Sequence, residues 1–283
     1  MKLPKTLIEN RPMKNLLCLL ILVLAWAEPG CTLPPGPRAT EPLRVAAAAD
    51  LNPALQEIVT FFQQKTGQAV EINFGSTGLL TRQIEQGAPV DLFFAADQSY
   101  TDQLLQQALV LENTARPYAQ GYLTGWQRMD APIQIKSLQE LTSPAIRRIA
   151  IANPDHAPYG KVAIQALQAA KIYDQVQSKL IMGENISQAF QYVSTGNADV
   201  GLVAKSLIPS RAGGHVFPID SGLYQPLNQT LCILKRTQHP DQSKRLVEFV
   251  LSPEGQQILQ KYGFGAVKNE ELRMKNEELR MKN

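Results

Sequence analysis

A chain of 283 residues with 44% apolar and 19% charged side chains can bury the core of one large domain or of two lobes, and its composition is neither fibrous nor disordered. Most of the formal net charge of +3 lies at the front of the chain: Lys2, Lys5, Arg11 and Lys14 stand against Glu9 and Glu28 there, leaving 24 basic and 23 acidic groups behind them. That balance excludes the basic field on which nucleic-acid binding depends, and three cysteines without CxxC spacing exclude a disulfide framework and a zinc site.

The first element is an export signal over residues 1–30. Its basic groups precede the apolar run Leu16 to Ala25, which is too short for the roughly 20 residues of a membrane span and suits a signal-peptide core. Two processing routes stay open. "AWA" at 25–27 fits cleavage before Glu28 and a free protein, whereas Cys31 after Gly30, followed by a Pro-rich spacer over 31–42, fits a lipid anchor with a tether.

From Leu43 onward, apolar runs alternate with helical stripes, the pattern of a parallel sheet with crossover helices. "LRVAAAA" reads as a buried strand, and "PALQEIVTFFQQKTG" as a helix with Leu55, Ile58, Val59 and Phe62 on one face and Gly67 closing it. "AVEINF", "TGLLTRQIEQG", "VDLFFAAD" and "SYTDQLLQQALV" continue as strand, helix, strand, helix. After Pro117 a second unit begins with "RRIAIANP", "YGKVAIQALQAAKIY", "SKLIM", "ISQAFQYVSTGN" and "ADVGLVA". The strands "HVFPI" and "YQPLNQTLCILK", with Cys232 buried in the second, lead to two closing helices that return the chain to the first unit. The repeat "NEELRMK" at 269–275 and 276–282 is too short for a coiled coil, and residues 266–283 read as a disordered tail.

Chemistry is suggested by the strand-to-helix junctions. Gly75 permits a tight turn after one strand and Ser76 is placed to cap the following helix through its hydroxyl, where unpaired N–H groups and the positive dipole end can hold an anion without a charged side chain. Capping serines are common, so this junction alone decides nothing. Three more junctions share its character: Asp50 or Asn52 before Pro53, "APYGK" at 157–161, and Asn185 with Gln188 as a capping box. In an open α/β sheet ligands lie outside the carboxyl ends of strands, so four such junctions can converge on one cleft.

The stretches "VAAAADLNPALQEI", "NFGSTGLLTRQIEQGAPVDLFFAADQ", "NPDHAPYGKVAIQAL", "ENISQAFQYVSTGNADVGLVA" and "YGFG" resemble the molybdate-binding proteins of bacterial ABC uptake systems, in unbroken order from about residue 43 to 265. The resemblance implies an α/β, two-lobed periplasmic-binding-protein fold of type II with the ligand cleft between the lobes. It places lobe 1 at 43–117 and 226–265, lobe 2 at 118–225, and hinges near 117–122 and 218–225. It also implies a monomeric periplasmic carrier that is not an enzyme and has no cofactor, with molybdate or tungstate as ligand and an ABC permease as partner.

Carried over residue by residue, the anion contacts fall on Asp50, Ser76, Tyr159 and Ile186, with Ala49, Thr77 and Ala204 as neighbouring positions. Ser76 is expected to give hydroxyl and N–H, and Tyr159 and Ile186 mainly N–H. Two positions depart from the family. Asp50 stands where many members have serine or asparagine, and its carboxylate is expected to turn onto its own helix as a cap, since at about 4 Å from a dianion it would be repelled by at least about 1 kcal/mol even in water. Ala204 stands where one branch has a tyrosine, whose role Tyr159 is available to take. Sulfate, phosphate or an organic acid remain open as ligands. An exported enzyme using Asp50 and His156 is disfavoured by the lack of a nucleophile elbow, an HExxH helix or a phosphate-loop lysine. His156, Lys161 and Lys205 read as solvated residues.

Overall fold

The computed structural model describes residues 41–208 and 213–266. The export segment, residues 31–40 with Cys31, and residues 267–283 with the heptad repeat lie outside the described residues.

The elements run β1 (Leu43–Ala48), α1 (Asn52–Thr66), β2 (Val70–Gly75), α2 (Thr77–Glu85), β3 (Leu92–Ala95), α3 (Gln98–Gln106), β4 (Arg116–Gly121) and β5 (Leu123–Arg128). They continue as β6 (Ile149–Ala152), α4 (Pro158–Ala169), α5 (Tyr173–Val176), β7 (Leu180–Gly183), α6 (Ile186–Ser194) and β8 (Val200–Ala204). The chain closes with β9 (Gly214–Pro218), β10 (Leu227–Ile233), α7 (Pro240–Leu251) and α8 (Pro253–Lys261).

Two five-stranded sheets result, in the orders β2-β1-β3-β10-β4 and β7-β6-β8-β5-β9. In each, three strands are parallel and the next is antiparallel: β10 against β3 and β4, β5 against β8 and β9. The lobes thus exchange strands. β10 follows lobe 2 in the chain yet completes the first sheet, and β5 leaves the first sheet to complete the second.

Both faces of the first sheet are covered, which is why its strands read as continuous apolar runs. Val45, Ala47, Leu92, Phe94 and Leu231 face α1, α7 and α8 through Leu55, Ile58, Phe62, Leu246 and Leu259. The alternate residues Ala46, Phe93 and Cys232 face α2 and α3 through Leu80, Ile84 and Leu104. Cys232 is fully buried, and burial pushes its thiol up to about 12, so it stays a neutral packing residue.

The crossing between lobes differs from the sequence reading. β4 still pairs with β10 as far as Gly121 opposite Leu227, so the chain changes sheet at Tyr122 and not at Pro117. Neither β4 nor β5 was expected as a strand. Pro117 argues against a central strand, but β4 is the outermost strand of its sheet, where the missing N–H is tolerated.

α1 ends as its sequence indicates, with Gly67 in the left-handed region at φ 69° and its N–H bonded to the Gln63 carbonyl. A Cβ added there would meet nothing within 4 Å, so only backbone strain opposes a side chain. Gly67→Ala is expected to lower the unfolding free energy by about 1 kcal/mol with the site unchanged, measured by urea denaturation.

Candidate functional site

Four chain reversals meet between the lobes. β1 passes through a 3-10 turn, Ala49–Leu51, into α1, and β2 passes through the extended Ser76 into α2. In lobe 2, β6 leads through residues 153–157 into α4, and β7 leads through Asn185 into α6. Together they line a cavity of about 10 Å³, room for about one water-sized group, formed by Ala48, Ala49, Asp50, Gly75, Ser76, Thr77 and Ala96 on one side and Ala157, Pro158, Tyr159, Asn185 and Ile186 on the other. Pockets for drug-sized molecules run to roughly 300–1,000 Å³, so this space excludes them and admits a ligand of a few atoms at most.

The lining explains what that ligand can be. Thr77, Tyr159 and Ile186 lie in the first turns of their helices, where backbone N–H groups have no intrahelical partner and the dipole end is positive. No lysine, arginine or histidine lines the cavity. A small anion would be held by neutral donors. Among the described residues, no group of three His, Cys, Asp or Glu side chains is placed to hold a metal ion.

The lobes are clasped around the cavity by hydrogen bonds, most of them between neutral groups. The Ser76 hydroxyl donates to the His156 carbonyl at 2.7 Å, and the Gly78 N–H donates to the same oxygen at 2.9 Å. His156 Nδ1 lies 2.8 Å from Ser76 Oγ; with the hydroxyl proton on the carbonyl, Nδ1 is the donor. Desolvation and the nearby Arg82 charge both lower the imidazole pKa, keeping it neutral. Ser187 Oγ donates to the Ala49 carbonyl at 3.0 Å, Ser206 Oγ to the Asp50 carbonyl at 2.8 Å, and Lys161 Nζ to the Tyr100 hydroxyl at 3.1 Å.

Several expectations are corrected by this geometry. Ser76 occupies the cap position of α2 without a side-chain cap bond, because its hydroxyl reaches across to lobe 2. His156 is a half-buried clasp residue and not a solvated one. Lys161, although exposed, spans the lobes to Tyr100. Asn185 caps α6 as expected, its side chain accepting from Gln188 N–H at 3.0 Å, but the return bond falls one residue before the cap, Gln188 Oε1 accepting from Glu184 N–H instead of Asn185 N–H.

Asp50 departs furthest from expectation. Its carboxylate makes its defined hydrogen bond away from its own turn, although the N–H groups of Asp50 and Leu51 lie near enough to favour the charged form; Oδ2 accepts from the Gln229 amide, whose own oxygen accepts from the Tyr118 hydroxyl. The Tyr159 hydroxyl lies near enough to favour the charged carboxylate, but Oδ1 has no partner of hydrogen-bond geometry. Desolvation dominates and pushes the Asp50 carboxyl up to about 6 against these hydrogen bonds. The phenols of Tyr118 and Tyr159 are in turn raised well above their usual value, first by burial and then by the Asp50 charge. The Tyr159 hydroxyl accepts from the Gln229 amide 3.4 Å away and lies beside the Asp50 carboxylate without a hydrogen bond of full geometry to it.

Six expected positions, Ala49, Asp50, Ser76, Thr77, Tyr159 and Ile186, line the cavity. Ala204 does not; it ends β8 paired with Leu123. Thr77 Oγ1 accepts from the Ala96 N–H at 3.2 Å, tying α2 to the end of β3. Gln229 and Tyr118 were missed because they lie on strands distant in sequence from every junction. The one available signal was Gln229 in the apolar run "LNQTLCI", where it is 0% exposed.

Residues 43–265 match the family of bacterial extracellular solute-binding proteins. The chain is 34% identical to the molybdate-binding protein ModA of Rhodobacter capsulatus, across 81% of this chain and 90% of that protein. It is 29% identical to a putative ABC transporter substrate-binding lipoprotein, YvgL, of Bacillus subtilis, across 79% and 86%. The solved periplasmic molybdate-binding protein of Azotobacter vinelandii superposes with a TM-score of 0.77 at 28% identity, covering 80% of this chain and all of that one.

Gly78 is the point of closest approach between the lobes at this clasp. A Cβ there would sit 2.7 Å from the His156 carbonyl oxygen, a backbone atom that can retreat only if residues 153–157 move. Gly78→Ala is expected to disfavour the closed form by about 1–3 kcal/mol, seen as a larger radius of gyration in small-angle scattering.

Proposed function

The chain belongs to the bacterial extracellular solute-binding proteins, and from that premise we propose that it captures molybdate, with tungstate as the alternative cargo, and delivers it to an ABC importer. The observation that carries this reading is a small cavity at four strand-to-helix junctions lined without a cation. Support for molybdate as the cargo comes from the Rhodobacter and Azotobacter relatives, whose names state that ligand.

The mechanism is capture by closure. In the open form one lobe offers the N-termini of α1 and α2 to an arriving oxyanion; rotation about Tyr122 and residues 219–226 then adds those of α4 and α6. Closure removes water, and each donor to a charged acceptor contributes roughly 1.5–3 kcal/mol. Since every such donor also serves sulfate, discrimination falls to size: fixed donors spaced for the larger tetrahedron make weaker hydrogen bonds to a smaller one. No nucleophile or paired acid and base is needed, and the protein acts as a carrier without catalysis.

With the export signal read at residues 1–30 in support, we propose that it works in the periplasm as a monomer. We propose tethering at Cys31 over release by cleavage before Glu28, with the lipoprotein relative from Bacillus in support. Cys31→Ser is then expected to move the protein from the membrane fraction to the soluble one.

Calorimetric titration with molybdate, tungstate, sulfate and phosphate tests the ligand. Molybdate and tungstate are expected to bind tightly and sulfate at least tenfold more weakly; equal affinity for sulfate would remove selection by size. Ser76→Ala should weaken molybdate binding by roughly 10- to 100-fold, the loss of one hydrogen bond to a charged group. Unchanged affinity would exclude Ser76 as a contact.

A further inference from the structure

An oxyanion in this cavity would lie beside Asp50, one of the lining residues, and among the described residues no cation lines the cavity. We infer that Asp50 binds the oxyanion as a neutral acid, donating its carboxyl O–H to an anion oxygen, so that each fully ionised dianion is taken up together with one proton. The inference rests on the oxyanion reading of the cavity.

The geometry leaves room for little else. Asp50 is 0% exposed and lines the cavity, Oδ2 is engaged by Gln229, and Oδ1 is a buried oxygen without a partner. An ionised carboxylate only accepts hydrogen bonds, and a dianion only accepts them too, so neither can satisfy the other. One proton on Oδ1 resolves both: it removes the like charge and turns the orphan oxygen into a donor, the role a hydroxyl would fill. In balance, carboxylate plus dianion plus one proton from solvent gives the acid hydrogen-bonded to the dianion, with no other bond made or broken.

The groups facing the carboxylate do not offer an alternative counter-charge. β4 brings the Tyr118 hydroxyl and α4 the Tyr159 hydroxyl, both held neutral by burial. β10 brings the Gln229 amide, and α6 brings Ile186 and Ser187. The 3-10 turn Lys205–Leu207 contributes the Ser206 hydroxyl, while Lys205 itself is exposed and lies over the Tyr122 ring. α1 opens with Asn52 and Pro53, which carry no charge. His156, on the Ser76 side, is the remaining titratable group at the site and has a lowered pKa. With its own carboxyl pushed up to about 6, Asp50 stands within reach of protonation at neutral pH.

The sign follows. Below pH 6 the acid is already neutral and affinity is at its plateau; above it, a proton must be acquired on binding, and affinity for the dianion falls roughly tenfold per pH unit until the pKa of the complex is reached. Calorimetric titration of the intact protein with micromolar molybdate at pH 6, 7 and 8 reads this slope. Repeating it at pH 7.5 in two buffers of different ionisation enthalpy counts the protons. The expected result is uptake of about one proton per molybdate and a weakening of up to ~100-fold from pH 6 to pH 8. Asp50→Asn, which carries its own N–H donors, and Asp50→Ser, which carries a hydroxyl, should both bind without proton uptake and with a flat pH profile; His156→Gln should keep the slope. A parent that binds molybdate with no proton uptake and a flat profile overturns the inference while leaving molybdate capture intact. A slope lost in His156→Gln and kept in Asp50→Asn overturns it too. No molybdate heat at any pH overturns both the inference and the ligand reading.

Discussion

A doubly charged oxyanion enclosed without a cation has to be held by dipoles, and dipoles hold it only if they are fixed before it arrives. A lysine can swing to meet its partner; a backbone N–H cannot. The donors must therefore sit at the ends of rigid elements, and the ends of helices that follow strands are where unpaired N–H groups converge. The rest of the molecule serves that requirement. Each sheet is covered by helices on its faces, so the positions of the helix N-termini are set by cores such as Leu55, Ile58 and Phe62 packed beneath β1 and β3. The small residues around the cavity, Ala48, Ala49, Gly75 and Ala96, then let backbone rather than side chain face the ligand.

Closure is subject to the same constraint from the other direction. Among the described residues every ion pair lies within one lobe: Lys65 with Glu254, Lys261 with Glu57, His239 with Glu41 and Lys244 with Asp241 in the first, Arg128 with Asp130 in the second. What spans the cleft is largely serine hydroxyl to backbone carbonyl, at Ser187 to Ala49 and Ser206 to Asp50. Such bonds are short in reach and individually weak, so they add to closure only when the lobes are already in register. The exchanged strands β5 and β10 join the lobes twice, since each lobe's sheet is completed by chain arriving from the other.

Much of this was legible in the sequence because it is local. Glycine 67, the Asn185 cap, and the apolar stripe of α1 are each written within a dozen residues, and the structure follows them. So are the four junctions, to which the family resemblance added Tyr159 and Ile186 as expected contacts; the structure brings both, with Ser76, to one cavity. What was not legible is what depends on contacts across the lobes. Nothing within a few residues of Asp50 tells that Gln229, on a strand arriving after the whole of lobe 2, supplies a hydrogen bond to its carboxylate. A local reading could only give that carboxylate a local partner, its own helix. The same limit hid His156, whose loop looks solvated until lobe closure brings it against Ser76, and β4, whose Pro117 is tolerable only because the strand lies outermost.

The hydroxyl of Ser76 has one proton to give, and in the closed lobes it goes to the His156 carbonyl. On the proposed reading, an anion entering the cavity would compete with that carbonyl for the same proton, and charge would decide the contest, since a hydrogen bond to a charged acceptor is roughly twice as strong as one to a neutral acceptor. The Gly78 N–H keeps the His156 carbonyl in place after the exchange, so the clasp loses one bond and not its anchor. The imidazole Nδ1–H, still directed at Ser76 Oγ, polarises the hydroxyl toward the anion. A lysine at this junction would break the arrangement at both ends. It would draw the anion without regard to size, and its charge would hold Asp50 ionised, closing off the neutral-acid form. On the proposed reading, the lack of a lysine within "GSTG" would serve selectivity at Ser76 and protonation at Asp50 together, while the Arg82 charge acts on the His156 imidazole.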